Sequence, residues 1–145
     1  MGSSVPRRLV AVSPPVPKSR AIEDLDTLCR PRTVDGQRVP RLQPIGPVDC
    51  KVFQAVLHGE HAIRGFRNGD IARLIYPTPP SSPDDRRRRS ARVTRTIARL
   101  RGHGLVGKVK GSHLYRITPK GAHLMTTAVR VRLRDFPEQH AQAAA

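Results

Sequence analysis

The chain has 145 residues, of which 37% are hydrophobic, and it carries a formal net charge of +16. This length suits one domain with some additional chain and excludes a second large domain. The charge is uneven, because residues 49–134 hold nineteen Lys and Arg against five Asp and Glu, a surplus of +14. Such a surplus attracts polyanions, and nucleic acid is the partner that we expect first.

Several classes of function are disfavoured by what the sequence lacks. Cys29 and Cys50 form no CxxC pair, so we expect neither a disulfide framework nor a zinc site. The carboxylates are scattered and no glycine-rich phosphate loop follows a strand, so we expect no enzyme, no cofactor and no metal. Prolines interrupt the apolar N-terminal stretch, and no segment approaches membrane-spanning length. We therefore expect a cytoplasmic, nucleoid-associated protein.

The N-terminal part, residues 1–47, is predicted to be an extended or disordered region, because prolines recur through it and give it no continuous packing face. Within it a short helix could span residues 20–28, with Ser19 as its cap. Its shared apolar face would consist of Ile22, Leu25 and Leu28.

A turn is predicted further along this N-terminal part. Asp35 and Gly36 could form the centre of a two-residue hairpin, and a simple turn fits the same residues equally well. Pro40, Pro44 and Pro47 then exclude a regular helix, so we expect the main domain to begin near Val48.

Two core helices are predicted at the start of this domain. The first covers residues 48–58 and should end at Gly59. Asn68 is expected to cap the second, which stops before Pro77. The predicted apolar face of the first helix is Val48, Val52, Phe53, Val56 and Leu57. The predicted buried side of the second is Ile71, Leu74 and Ile75.

The stretch PTPPSSPDD is predicted to be a loop, and Ser82, Asp84 or Asp85 can cap the helix that follows it. That helix, residues 86–101, contains eight arginines. Its expected buried residues are Val93, Ile97 and Leu100. The arginines expected to point outward along one side are Arg88, Arg92, Arg95 and Arg99. The helix should end within Gly102–Gly104.

A β-hairpin and a last helix complete the domain. The strands are predicted at roughly 105–110 and 113–118, joined at Gly111 and Ser112, with Thr118 capping a helix that runs to about Arg134. Residues 135–145 should be a disordered tail. The candidates for the buried side of the hairpin are Val109, Tyr115 and Ile117. The apolar face of the last helix is Leu124, Met125, Ala128 and Val131, and packing on the domain or dimerisation suits it equally.

The order helix, helix, arginine-rich helix, hairpin, helix resembles MarR-type and related winged helix-turn-helix DNA-binding domains. NGDIARLIY, SARVTRTIARLRGHGLV and HLYRITPKGAHL carry the resemblance, which covers residues 48–134. It implies a mainly α fold with a small β-hairpin (α+β). In this fold the winged helix-turn-helix domain is preceded by the irregular proline-rich extension. One departure is the long PTPPSSPDD segment, because the turn between the second and third helices of the family is usually a few residues.

The resemblance implies that the third helix enters the major groove and that the hairpin contacts the backbone or minor groove. The early residues Arg88, Arg89, Ser90 and Arg92 would reach base edges, and Arg95 a phosphate. Positive charge at Arg86 and Arg87 is unfavourable near a helix N-terminus by about 0.3–1 kcal/mol each, which favours an anionic partner. The expected nucleic-acid-binding residues are Arg86, Arg87, Arg88, Arg89, Ser90, Arg92, Arg95, Thr96, Arg99, Lys108, Lys110 and His113.

The function expected first is therefore a double-stranded DNA-binding transcriptional regulator, acting as a homodimer on a two-fold site. Two alternatives remain: a non-specific RNA- or ribosome-associated basic protein, and a winged-helix module that binds other proteins. The arginine cluster could also be an ordinary solvated face. The whole chain prefers arginine to lysine, with 22 Arg and 5 Lys, so many arginines need not by themselves indicate a function. His58, His61 and His103 are expected to be exposed or capping residues and not metal ligands.

Overall fold

The computed structural model describes residues 18–135, so the predictions of disorder for residues 1–17 and for the tail 136–145 lie outside the described residues. Helices dominate, and a 3₁₀ turn, Thr27–Cys29, follows the first of them. The helices are α1 (Lys18–Asp26), α2 (Pro47–Val56), α3 (Gly59–Arg64), α4 (Asn68–Ile75), α5 (Pro83–Gly102) and α6 (Pro119–Asp135). Two antiparallel hairpins pair β1 (Arg32–Val34) with β2 (Gln37–Val39) and β3 (Val106–Lys108) with β4 (Tyr115–Ile117).

The mainly helical class with a small β component is confirmed. One hydrophobic core joins α2, α4, α5 and α6, and α2 packs against both α4 and α6 while α5 packs against α4. The largest side chains that are fully buried in it include Phe53, Phe66, Ile71, Ile97 and Met125. No helix in the described part of the chain is long and apolar enough to cross a lipid bilayer.

The N-terminal segment 18–46 is part of this core, which corrects the prediction of an extended region up to residue 47. Leu25, Leu28 and Leu42 are 4%, 1% and 2% exposed and belong to the same hydrophobic cluster as the later helices. The Leu42 N–H donates to the Leu28 carbonyl at 2.8 Å. Prolines prevent a long helix here but do not prevent spaced leucines from being buried. The core therefore includes residues well before Val48.

Polar contacts attach the same segment to α6. The predicted helix 20–28 is found as α1 followed by the 3₁₀ turn. His123 Nε2 lies 3.1 Å from Asp24 Oδ2, and Arg132 Nη1 donates to the Ile45 carbonyl at 2.6 Å. These bonds join residues 99 and 87 positions apart in the sequence. The N-terminal segment consequently forms a layer against the last helix.

The predicted turn at Asp35 and Gly36 is a true hairpin. Arg32 pairs with Val39 and Val34 with Gln37. Asp35 has φ 52° and Gly36 has φ 79°, so both central residues are left-handed, as a two-residue type I′ turn requires. The base of the hairpin packs on the end of α5, where a Cβ at Gly102 would overlap the Val39 side chain.

The predictions for the first two domain helices need four corrections. Arg67, and not Asn68, is the N-cap residue of α4. Val48 is 74% exposed, because it lies in the first turn of α2, beyond the edge of the core. Gly59 does not simply end a helix; it begins the six-residue α3, which the sequence analysis missed. Leu74 is 41% exposed, because the side of α4 that faces the core carries Ile71, Ala72 and Ile75 instead.

The apolar face of α6 packs within the chain itself. Leu124, Met125, Ala128 and Val131 are between 0% and 5% exposed. Of the two alternatives left open by the sequence, packing on the domain accounts for all four residues. A homodimer through α6 stays a prediction, and it would have to use other residues, such as Leu133, which is 42% exposed.

Candidate nucleic-acid interface

The arginine-rich helix α5 begins at Pro83, three residues before the predicted start. Ser82 is its cap, and the Asp85 N–H donates to Ser82 Oγ at 3.0 Å. Proline at the first helical position costs no hydrogen bond, since a backbone N–H at that position would have no partner within the helix. The predicted buried face is confirmed, because Val93, Ile97 and Leu100 are each 1% exposed.

A stripe of arginines runs along the side of α5 that faces away from the core. Arg88, Arg92 and Arg95 are exposed, as predicted, and Arg99 at the end of the stripe is half-buried. The side chains recur every three or four residues and therefore lie above one another on the helix. Arg86, Arg87 and Ser90 are also exposed. Most of the predicted α5 contact residues are thus accessible to a large ligand.

Two carboxylates in the first turn of α5 change the electrostatic argument made from Arg86 and Arg87. Asp84 pairs with Arg87, and Asp85 Oδ2 lies 3.2 Å from Arg89. Because α5 starts at Pro83, the acids occupy the positive end of the helix dipole and the arginines begin a turn later. The unfavourable dipole contribution assigned to Arg86 and Arg87 is therefore an overestimate, and it no longer supports an anionic partner.

Asp85 is held at the start of α5 by the preceding loop. The Ser81 N–H donates to Asp85 Oδ2 at 2.9 Å, and this bond is the main reason why the pKa of Asp85 is lowered. Arg89 and Arg88 lower that pKa further, while partial burial opposes them. Asp85 thus connects the proline-rich loop to the basic part of the helix.

Arg89 makes structural contacts that its assignment to the base-contacting group did not foresee. Its side chain is 21% exposed. Nη1 donates to the Thr78 carbonyl at 2.7 Å, and the guanidinium carbon lies 4.9 Å from the centroid of the Tyr76 ring. This cation–π contact and the ion pair with Asp85 hold the proline-rich loop on α5. The long loop is therefore attached at a defined place.

Thr96 also differs from its predicted role. It is half-buried, and its hydroxyl donates to the Arg92 carbonyl in the preceding turn at 2.8 Å. The neighbouring Thr94 instead joins the two helices, because Asn68 Nδ2 donates to Thr94 Oγ1 at 2.6 Å. That bond connects the N-terminus of α4 to the middle of α5.

A cleft of about 630 Å³ separates α4 from the first half of α5. Its walls include Arg73 and Arg86, with Ser90 on the α5 side and the proline-rich loop closing one end. Arg73 pairs with Asp70 on its own helix. The sequence analysis did not include Arg73, since its position relative to α5 depends on how the two helices pack.

The second hairpin, β3–β4, carries the other predicted contact residues. Lys108 pairs with Tyr115 in its register, and Lys108, Lys110 and His113 are exposed around the turn. Val109, Tyr115 and Ile117 are half-buried, so the predicted inner side is partly confirmed. Arg101 joins the hairpin residues around a notch of about 460 Å³, a position that sequence reasoning did not single out.

Phe66 attaches this hairpin to the region between α3 and α4. Its N–H donates to the Tyr115 carbonyl at 2.9 Å, and the Tyr115 N–H donates back to the Phe66 carbonyl at 2.8 Å. The two rings stack with centroids 5.7 Å apart. Tyr115 is thus a packing residue, and the hairpin is held in a fixed position beside α5.

The histidines and cysteines form no metal centre in the part of the chain that the structure covers, where no group of three or more ligating side chains could hold an ion. His61 is buried and not exposed, and its Nδ1 donates to the Ala55 carbonyl in the last turn of α2 at 2.9 Å, which agrees with the capping role among the two roles expected for it. Cys29 and Cys50 are free, and burial raises the pKa of both thiols.

His103, at the C-cap of α5, is also buried and is 1% exposed, so of the two roles expected for it, exposed or capping, it has the capping one. Its Nε2 donates to the Pro40 carbonyl at 2.7 Å. Burial lowers the pKa of His103 below 6.5, and the positive charges of Arg32 and Lys120 lower it further against the opposing effect of the Pro40 carbonyl.

The free energy of unfolding should therefore decrease as the pH falls below about 6.5. In that range the unfolded chain binds a proton at His103 that the buried ring does not bind, whereas above it the imidazole is neutral in both states. Urea unfolding at about pH 7.5 and about pH 5 measures the loss. His103→Gln keeps a donor for Pro40 without titrating, so it should lose less stability than the wild type. Equal losses would contradict the prediction.

Comparison with protein-family models, curated proteins and solved structures finds no match for this chain.

Proposed function

We propose that the chain binds double-stranded DNA as a winged-helix protein, with α5 in the major groove. The exposed stripe of Arg88, Arg92 and Arg95 on a helix that is buried along its other side carries this proposal. Arginine can bond guanine through two parallel hydrogen bonds, and it also pairs with phosphate. A row of arginines on an ordered helix therefore suits the major groove, which exposes guanine edges and is bordered by phosphates.

The surroundings of α5 support the same proposal. α4 packs across α5 and is joined to it by the bond from Asn68 to Thr94, as the first helix of a helix-turn-helix pair would be. Hairpin β3–β4 follows α5 directly and exposes Lys108 and Lys110, which would contact the DNA backbone or the minor groove. We assign Arg101 to the same group because it lines the notch beside these lysines.

The biological role proposed with this activity is transcriptional regulation in the cytoplasm, at the nucleoid. A homodimer would read a two-fold site, since two copies of one recognition helix require two half-sites. The corrected roles divide the arginines differently from the sequence analysis. Arg88 and Arg92 are assigned to base edges and Arg95 to phosphate, while Arg89 holds the loop.

A salt series measured by gel shift with three nucleic acids tests the proposal. These are a random duplex, a structured RNA, and a duplex selected from a random pool by binding to the protein. If six phosphates are neutralised, log K should fall with log salt with a slope of about −5. The selected duplex should be preferred to the random one by more than about tenfold.

Two results would contradict this function. A nearly salt-independent affinity would exclude phosphate contacts as its source. Tighter binding to structured RNA than to every duplex would favour the RNA-binding alternative. Binding to all duplexes within about tenfold of one another would leave a DNA-binding protein but remove the specific regulator.

A further inference from the structure

A second basic site lies outside the α5 surface, between the N-terminal hairpin and the start of α6. It is a notch of about 280 Å³, and Arg30, Arg32 and Lys120 line it together with the buried His103. All three cationic side chains are exposed at the notch. Arg30 and Arg32 are sequence neighbours at the start of the first hairpin, whereas Lys120 belongs to α6, so it is the fold that brings Lys120 to the two arginines.

The charge of this notch is not compensated. Its lining contains no carboxylate, and none of the ion pairs found in residues 18–135 involves Arg30, Arg32 or Lys120. Three cations around so small a space repel one another, and an anion between them would add attractive interactions that offset this repulsion. Burial is the main cause of the lowered pKa of His103, and Arg32, Lys120 and Arg99 lower it further.

The notch is also preformed. The hairpin that supplies Arg32 is fixed to the end of α5 by the packing of Val39 on Gly102 and by the bond from His103 to Pro40. Leu28, which forms part of the wall, is 1% exposed. A wall whose backbone is held in this way loses little conformational entropy when a ligand binds.

We propose that this notch binds one phosphate group through Arg30, Arg32 and Lys120. Two guanidinium groups and an ammonium group match the charge and the hydrogen-bonding geometry of phosphate oxygens. The phosphate can be a free ion or small phosphorylated molecule, or it can be a phosphodiester of nucleic acid. The site is independent of the proposed function, because a protein without affinity for DNA could still contain it.

NMR of the full chain tests the proposal, with the ring of His103 as the probe. Inorganic phosphate is added at constant ionic strength, maintained with sodium chloride. We expect saturable shifts of the His103 ring signals and a rise in the pKa of His103, because a nearby anion stabilises the imidazolium. A notch variant, Arg30→Ala, Arg32→Ala and Lys120→Ala, should bind phosphate at least about tenfold more weakly. Its His103 pKa should be higher without phosphate, because Arg32 and Lys120 no longer lower it, and cooperative urea unfolding of the variant checks that the fold persists.

A control variant removes three charges elsewhere: Arg38→Ala, Arg64→Ala and Arg130→Ala. These side chains are exposed and lie outside both the notch and the α5 surface. The control variant should respond to phosphate as the wild type does. If it loses the response equally, the effect comes from net charge and the site is refuted.

A second titration with a short random duplex identifies the source of the phosphate. Saturable shifts with inorganic phosphate support a site for a free phosphate group. Shifts with the duplex alone, abolished in the notch variant, support a site for the nucleic-acid backbone. If neither titration shifts the His103 signals of the wild type, the proposal is overturned, whatever the affinity of α5 for DNA.

Discussion

Replacing Arg88, Arg92 and Arg95 together by alanine is expected to weaken duplex binding by about a thousandfold, since it removes two base contacts of about 1–3 kcal/mol each and one phosphate contact. All three side chains are exposed on α5. The free energy of unfolding should change by less than about 1 kcal/mol, because surface substitutions without core contacts have small effects. Fluorescence anisotropy at constant salt measures the binding, and urea unfolding measures the stability.

The control variant defined above separates the position of the charges from their number. It removes the same total charge from surfaces that we do not assign to DNA, so its duplex affinity should fall by less than about tenfold through the weaker long-range field. Equal losses in the two variants would mean that α5 has no special part in binding. A collapse of stability in the α5 variant would mean that its arginines are structural.

Leu28→Ala should destabilise the protein by about 2–5 kcal/mol, which is the usual cost of removing a leucine side chain from a well-packed core. Leu28 is 1% exposed, and the Leu42 N–H donates to its carbonyl. Such a loss is large for a domain whose total stability is of the order of 5–15 kcal/mol. Urea unfolding followed by circular dichroism gives the difference between the variant and the wild type.

Ile22→Ala is the matched control for this prediction. Ile22 lies in the same N-terminal segment but is 45% exposed, so its loss should cost less than about 1 kcal/mol. If Leu28→Ala were as mild as Ile22→Ala, residues 18–46 would be an appendage and not part of the core. The pair therefore tests the largest correction to the sequence analysis.

The elements that could be predicted are those whose signals are local. Ser82 with its proline, and Thr118 with Pro119, identify helix starts within four residues. The spacing of Val93, Ile97 and Leu100 identifies the buried side of α5, since three apolar residues among arginines leave no alternative face. Asp35 and Gly36 also give a local signal. They specify a turn, because few residue pairs readily adopt two consecutive left-handed conformations.

The remaining features depend on contacts between distant residues. Leu25 and Leu28 lie in a weakly patterned, proline-rich stretch, and their burial requires α6, which comes about a hundred residues later. The six residues of α3 are too few for a periodic pattern. Arg89 cannot be distinguished by composition from its three neighbours, because its role depends on where Tyr76 and the loop carbonyl of Thr78 lie.

The attachment of the N-terminal segment to α6 also affects the order in which the protein can fold. During synthesis the chain emerges from its N-terminus, and residues 18–46 are made well before the residues to which they bind. The contacts of Asp24 with His123 and of Ile45 with Arg132 close loops of 99 and 87 residues. Closing such loops is entropically costly and slows folding. A segment that is translated before its partners is thus among the last to reach its native place, and until then its leucines are exposed to chaperones and proteases.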